Sequence, residues 1–378
     1  MSKLAILQMA DTPQIESTAV MLRYAGYEVK VCGGRLRDEL KRVGCDTVLS
    51  VESMVAMGYD ELDPSIARAQ LEEMDSCDLF VEIKVRNLER IWSRWPRLRN
   101  RAAWWRVNGA QPEICAKGGD EVNFPCPIIT ACLWYGTQRY RREPGKTSSQ
   151  GQSLAEHEAG RPVTIEKILE THARAKIGAN GLAYTFWPPY PRSDQYLSID
   201  RGNLSTYDAP YCLCHNVQAW GYGEIVVPCV KEGMRFYGNG SPHGQISHSL
   251  VPRIASEALA LVHLKSVDCP GWALYEALLA GCPVVVGRLL NSRMLAYDLL
   301  SGGDTCLEFG VPASLEYGRG DPDLEKCLRD IKEALVQLHS PKENQRIGEN
   351  GRRRLKELMW TPARDGDSFN LFMKELFK

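Results

Sequence analysis

The sequence predicts an α/β protein of two domains, and three observations predict it. The chain has 378 residues, 44% of them hydrophobic, which is more than one ordinary core holds. In both halves short apolar runs alternate with helical patterns, as parallel sheets covered on both faces require. Between the halves, residues 182–196 carry three prolines within five residues and read as a stiff connector.

Each element follows in order. KLAILQM (3–9) reads as a buried strand. Residues 12–27 read as a helix, with Thr12 as N-cap, Pro13 in the first turn and Gly26 near the end. Strands are expected at 28–33, 47–51, 78–85, 102–107 and 126–134. Residues 143–162 are polar and rich in Gly and Ser, and read as a loop or insertion. A helix is expected over 164–178. The second half repeats the alternation, with strands at 209–216, 234–238, 259–266, 282–287 and 305–309. Helices fit at 222–232, 250–258, 271–280, 290–300, 321–339 and 368–378.

Composition excludes several classes. A net charge of −1 gives no global pull toward nucleic acid or membrane. No apolar stretch approaches a membrane span, and the short apolar start lacks the form of a signal peptide. Thirteen irregularly spaced cysteines suit buried free thiols in a reducing, cytoplasmic setting.

One residue breaks the pattern of its segment. Of the nine residues Trp272 to Ala280, eight are apolar or small, and the ninth is Glu276. A buried carboxylate without a partner costs several kcal/mol. Three readings are open: a solvent-facing acid, a structural ion pair, or a group facing a ligand's hydroxyls. Lys265, Asp268 and Gly271 fill the short loop between the strand before and the helix that carries Glu276. Strand ends followed by helix N-termini bind ligands in open α/β sheets. The first free amides, near Gly271 and Trp272, suit an anion, and a glycine allows close approach. Diols take carboxylates and phosphates take amides, and a sugar nucleotide has both.

The segment from Leu259 to Gly287 resembles the donor-site signature of GT-B glycosyltransferases of the retaining, family-four type. That signature has two acids separated by seven residues, then Ala, Gly and Pro-Val-Val. Here it reads Asp268, Glu276, Ala277, Gly281, Pro283, Val284 and Val285, with Asp where the first acid is usually Glu. The resemblance implies two Rossmann-like domains facing each other across a cleft. It assigns 1–190 to the acceptor, 191–360 to the donor, and 361–378 to a helix returning to the first domain. It implies a nucleotide-sugar donor, a UDP-sugar being expected, with no metal. By the same resemblance Glu276 binds the ribose and Asp268 the hexose. The family's Arg and Lys pair for the diphosphate has no match here, which leaves Lys265 as the candidate cation.

Other candidates are less specific. The loop after the strand at 234–238 holds Gly238, Asn239, Gly240 and His243, and reads as a donor-contacting loop or an ordinary turn. His215 and Asn216 end a strand, as a cleft-facing pair or with His215 in the core. Asp11, after the first strand, is the candidate polar group near the acceptor hydroxyl, or a helix-entry acid. Residues 84–106 hold eight basic residues, one acid and four tryptophans, which suits a solvated face or an anionic acceptor. Arg101, Trp104, Arg106 and Asn108 are the acceptor-side candidates, and a hydroxymethylated base in DNA is one acceptor that fits.

Three imitations fail. PGKTSS lacks the first glycine of a phosphate loop, since Tyr140 stands there. GYGEIV ends in Val226 where a dinucleotide fingerprint needs glycine. Cys212, Cys214 and His215 lack a fourth zinc ligand. Two other functions compete: a non-catalytic nucleic-acid-binding protein of this fold, and a nucleotide-sugar epimerase. Nothing in the sequence sets an oligomeric state.

Overall fold

The computed structural model describes residues 3–8, 13–32, 44–48, 72–82, 95–100, 102–106, 128–130, 177–178, 181–185, 189–190, 192–202, 206–213, 223–264, 271–287, 299–310 and 324–375. They form two compact units. One is built from the described residues of 1–141, 169–191 and 359–378, the other from those of 192–358.

The first unit contains β1 (Lys3–Gln8), α1 (Pro13–Tyr24), β2 (Tyr27–Cys32), β3 (Asp46–Val48), β4 (Leu79–Glu82), β5 (Ala102–Arg106), β6 (Ile128–Thr130), β7 (Ile177–Gly178) and β8 (Gly181–Thr185). Its sheet runs β3-β2-β1-β4-β5-β6-β8-β7. Every pairing is parallel except β7 with β8. Strand order therefore reverses between β1 and β4, as in a doubly wound sheet. Ala5, Ile6 and Leu7 are all buried, so both faces of β1 are covered. Along β2, Tyr27, Val29 and Val31 are buried while Glu28 is exposed, the period of two expected of a half-covered strand.

α1 opens on Pro13, whose missing N–H costs nothing in a first helical turn. It ends before Gly26, which takes φ +86° and donates to the Arg23 carbonyl at 3.0 Å. A helix late in the chain completes this core. α8 (Pro362–Glu375) brings Phe369, Phe372 and Met373, with Trp360 ahead of it, against the residues of β1, α1 and β2. Trp360 meets Tyr24 and Phe369 edge-on, with centroids 5.6 and 6.0 Å away.

The second unit begins with α2 (Ser193–Leu197), followed by β9 (Tyr211–Leu213), α3 (Gly223–Lys231), β10 (Arg235–Tyr237), a 3-10 turn (His248–Leu250), α4 (Val251–Glu257), β11 (Leu261–His263), α5 (Gly271–Leu279), β12 (Val284–Gly287), β13 (Leu307–Phe309), α6 (Leu324–Leu338) and α7 (Pro341–Leu358). Its sheet runs β10-β9-β11-β12-β13, all parallel. In α6 the buried residues Cys327, Ile331, Ala334 and Leu338 recur at helical spacing and form one stripe on the core.

Arg201 is a buried cation that no acid among the described residues pairs with. It donates to the Ala255, Ser256 and Ala258 carbonyls at 2.6, 2.9 and 2.7 Å, and to Asn344 Oδ1 at 3.1 Å. These are the orphan acceptors at the C-terminal end of α4, where the helix dipole favours positive charge.

Three sequence expectations change. The helix expected over 164–178 does not reach its end, because Ile177–Gly178 is β7. The connector at 182–196 contains most of β8 and the start of α2, so its prolines lie between ordered elements. α7 was not expected at all, since PKENQRIGENGRRRLKEL is polar and holds two glycines. Those glycines are contact points rather than breakers. A methyl on Gly348 would meet the Gly281 backbone, and one on Gly351 would stand 2.6 Å from Leu278 Cδ2. Thr12, the loop at 143–162 and nearly all of the helix expected at 290–300 lie outside the described residues. The seven described cysteines with placed side chains are free and buried. Among the described residues no helix is long and apolar enough to cross a membrane.

Candidate functional site

In the second unit strand order reverses between β9 and β11: β10 lies outward of one, β12 and β13 outward of the other. This is the switch point at which open parallel sheets bind ligands, at the C-terminal ends of the strands. α5 follows β11 there. Its first residue, Gly271, takes φ +73°, a conformation glycine adopts without strain.

α5 is buried from Leu274 onward because apolar residues occupy nearly its whole circumference. It stops at Gly281, with φ +67°. The Gly281 N–H donates to Leu278 O at 2.9 Å and the Cys282 N–H to Ala277 O at 2.9 Å, the Schellman pattern of helix ends. Most of the donor-site signature is thus explained by packing. Ala277 is fully buried, Gly281 is the C-terminal cap, and Val284 and Val285 lie in a strand buried on both faces.

Glu276 is what packing does not explain. It is 1% exposed, in the second turn of α5. His248 Nε2 lies 2.6 Å from its Oε1, and Arg192 Nη1 lies 2.6 Å from the other imidazole nitrogen, Nδ1. A guanidinium can only donate. Nδ1 is therefore the acceptor, Nε2 carries the hydrogen, and His248 donates to Glu276. The solvent-facing reading of Glu276 is excluded, because the carboxylate is buried and His248 bonds to it. Nearby, the Tyr211 hydroxyl is buried with no hydrogen-bond partner among the described residues. Burial pushes its phenol well above the usual 10.0, and the charges of Cys282 and Glu276 push it the same way. Trp272 packs against Tyr275, ring centroids 5.2 Å apart.

The glycine-rich loop after β10 is a closed, self-bonded turn at the same end of the sheet. Gly238 donates to Gly244 O at 2.9 Å, and Ser241 to Gly238 O at 3.1 Å. Gly238, Gly240 and Gly244 all take positive φ. His243 Nδ1 accepts the Phe236 N–H at 3.0 Å, which leaves Nε2 as its protonated nitrogen. Asn239 and Gly240 are exposed. β9 separates this loop's strand from β11, so the loop follows an edge strand.

Of the other sequence candidates, Asp11, Arg101, Asn108, His215, Asn216, Lys265 and Asp268 lie outside the described residues, as do the side chains of Trp104 and Arg106 in β5. In the basic segment, Trp95 and Leu98 are buried and Arg97 donates to the Met74 carbonyl at 2.6 Å. Part of its Arg–Trp pattern is therefore core and clamp. Sequence reasoning missed His248 and Arg192. Neither belongs to a motif, and they reach Glu276 from 28 and 84 residues away in the chain. Among the described residues no group of three His, Cys, Asp or Glu could hold a metal ion.

Two doubly wound parallel sheets in one chain define the GT-B fold, and comparison with solved structures places this chain in it. Sucrose-phosphate synthase from Thermosynechococcus elongatus matches with TM-score 0.54 at 12% identity, over 100% of this chain and 98% of that one. The catalytic domain of starch synthase IV from Arabidopsis thaliana, bound to ADP and acarbose, matches with TM-score 0.54 at 11% identity, over 100% and 98%. The apo lipopolysaccharide outer core galactosyltransferase WaaB matches with TM-score 0.50 at 10% identity, over 98% and 99%. At such identities the likeness is one of fold. No family model and no curated protein matches the sequence.

Proposed function

We propose that the chain is a nucleotide-sugar-dependent glycosyltransferase. The observation that carries this reading is Glu276, a carboxylate 1% exposed on the helix that follows the switch point of a GT-B unit. In this reading Glu276 accepts hydrogen bonds from the donor's ribose and Asp268 from its sugar. The amides of Gly271 and Trp272, the α5 dipole and Lys265 receive the leaving diphosphate. His243, with Asn239, Gly238 and Gly240, and the pair His215 and Asn216 border the nucleotide. Attack comes from the front face, with the donor phosphate helping to take the acceptor proton, so configuration is retained and no metal is needed. Asp11 is the polar group nearest the acceptor hydroxyl.

The acceptor in this reading is anionic. From Asp78 to Lys146 the sequence holds 13 basic and seven acidic residues, in a chain of net charge −1. A hydroxymethylated base in DNA has both the hydroxyl and the charge, with Arg101, Trp104, Arg106 and Asn108 as its contacts.

The test is a thermal-shift panel of UDP-, GDP-, ADP- and dTDP-sugars, with UDP-sugars first. A donor at 100 times its Kd adds about 2.7 kcal/mol of stability. Glu276→Ala should keep the fold and lose the shift, since each charge-assisted bond contributes about 1.5–3 kcal/mol. Unchanged turnover in that variant overturns the reading. Transfer of label to hydroxymethylated but not to unmodified single-stranded DNA tests the acceptor.

A further inference from the structure

We propose that a cavity at the N-terminal edge of the second unit's sheet binds a compact, uncharged apolar alcohol. The inference stands apart from the donor-site reading. Position, walls and mouth each carry part of it.

The cavity has a volume of about 290 Å3. Pro210, Met234 and Leu259 line one side of it, and they precede β9, β10 and β11. It therefore lies at the opposite edge of the sheet from the strand ends beside α5. α3 lines it with Pro228 and Cys229. On α6 the lining residues Leu328, Ile331, Lys332, Leu335, Val336 and His339 recur at helical spacing, the last just past the helix end. They form a second stripe beside the core stripe of that helix. Val336 in this second stripe is 63% exposed, so α6 presents a broader apolar face than the core covers.

The walls offer water little to bond. Pro210 and Pro228 have no N–H. The N–H groups of Glu232, Met234 and Leu259 already donate to the carbonyls of Pro228, Cys229 and Asp208, at 3.1, 3.0 and 2.8 Å. Apolar side chains complete the lining. A dry apolar cavity of about 150 Å3 takes benzene, so this one has room for a tail of roughly eight to twelve carbons.

The polar lining residues are Glu232, Lys332 and His339, and all three are exposed, which places them at the mouth. Lys332 Nζ stands 3.5 Å from Glu232 Oε1, a loose contact. His339 Nδ1 donates to the Leu335 carbonyl at 2.8 Å, so Nε2 is the acceptor of the neutral ring. The mouth thus holds one donor group, two acceptors and balanced fixed charges. A hydroxyl there accepts from Lys332 and donates to Glu232 or His339. A carboxylate head would face Glu232, and an ammonium head would face Lys332.

The test is calorimetry on the intact chain with three ligands of one tail: octanol, octanoate and octylammonium. Octanol should bind saturably, one to one, and the two charged heads about tenfold more weakly. Leu335→Trp fills the cavity, and Val336→Asp puts a charge on a wall residue exposed enough to leave the fold intact. Each should weaken octanol binding tenfold or more. Val227→Asp, at an exposed valine of α3 that does not line the cavity, should leave it unchanged. No saturable octanol binding overturns the inference. So does equal binding of the three heads, or wild-type affinity in both cavity variants. Sedimentation is measured alongside. A wild-type dimer that Val336→Asp dissociates would mean that a second copy covers the cavity, and the inference would fail.

Discussion

Gly348→Ala tests how tightly α7 holds the helix that carries Glu276. The added methyl would stand 2.9 Å from the Gly281 carbonyl carbon, closer still to its oxygen, and 3.5 Å from Pro283 Cδ. The obstacle is backbone at a helix cap, so no side-chain rotation relieves it. α7 must retreat by roughly 1 Å, and overpacking of this kind costs about 1–3 kcal/mol or more. Alanine in a helix interior returns about 1 kcal/mol over glycine. Because the obstacle is backbone, the strain falls at the upper end, about 3 kcal/mol, and the net expectation is a loss of about 2 kcal/mol, with a fall of about 2–4 °C in Tm for each kcal/mol in a unit of this size. Chemical denaturation followed by circular dichroism reads it. A variant as stable as wild type, or more so, would show that α7 does not press on the α5 cap and would refute the reasoning.

The other predictions concern separate features. Arg201→Lys keeps the charge but cannot reach four acceptors, leaving buried carbonyls unsatisfied; a loss of about 2–4 kcal/mol in urea unfolding is expected. Trp360→Ala removes a ring 2% exposed that bridges Tyr24 and Phe369; it should cost the first unit about 3–5 kcal/mol, visible as an earlier melting transition. Burial raises the Cys77, Cys229 and Cys327 thiols from 9.0 to about 12, and Cys45 to about 11. Raised folded values mean the unfolded chain loses these protons first. The stability they support is whole below pH 9 and is lost as pH rises through 11–12, so the urea midpoint should fall from pH 8 to pH 10, and these thiols should resist a disulfide reagent at pH 8 until unfolding.

Much of the fold was legible because parallel strands buried on both faces announce themselves as unbroken apolar runs. β1, β11 and β12 each sit within their expected stretches. α7 was not legible: its polarity and its glycines at 348 and 351 read as loop, and only the close approach of another backbone explains them. Glu276 could be found from sequence because an acid in an oily helix is anomalous. Its partners could not. His248 and Arg192 stand among ordinary polar residues, and their meaning lies in a convergence of three segments that no local pattern encodes.

The first unit is assembled from both ends of the sequence. Its core needs Trp360, Phe369, Phe372 and Met373, which leave the ribosome only after the whole of the second unit. During synthesis the early strands must wait with an uncovered oily flank, and the later unit is free to mature first, reversing the usual N-to-C order. Limited proteolysis of ribosome-stalled chains ending at residue 358 should therefore find residues 192–358 resistant before residues 1–190 are.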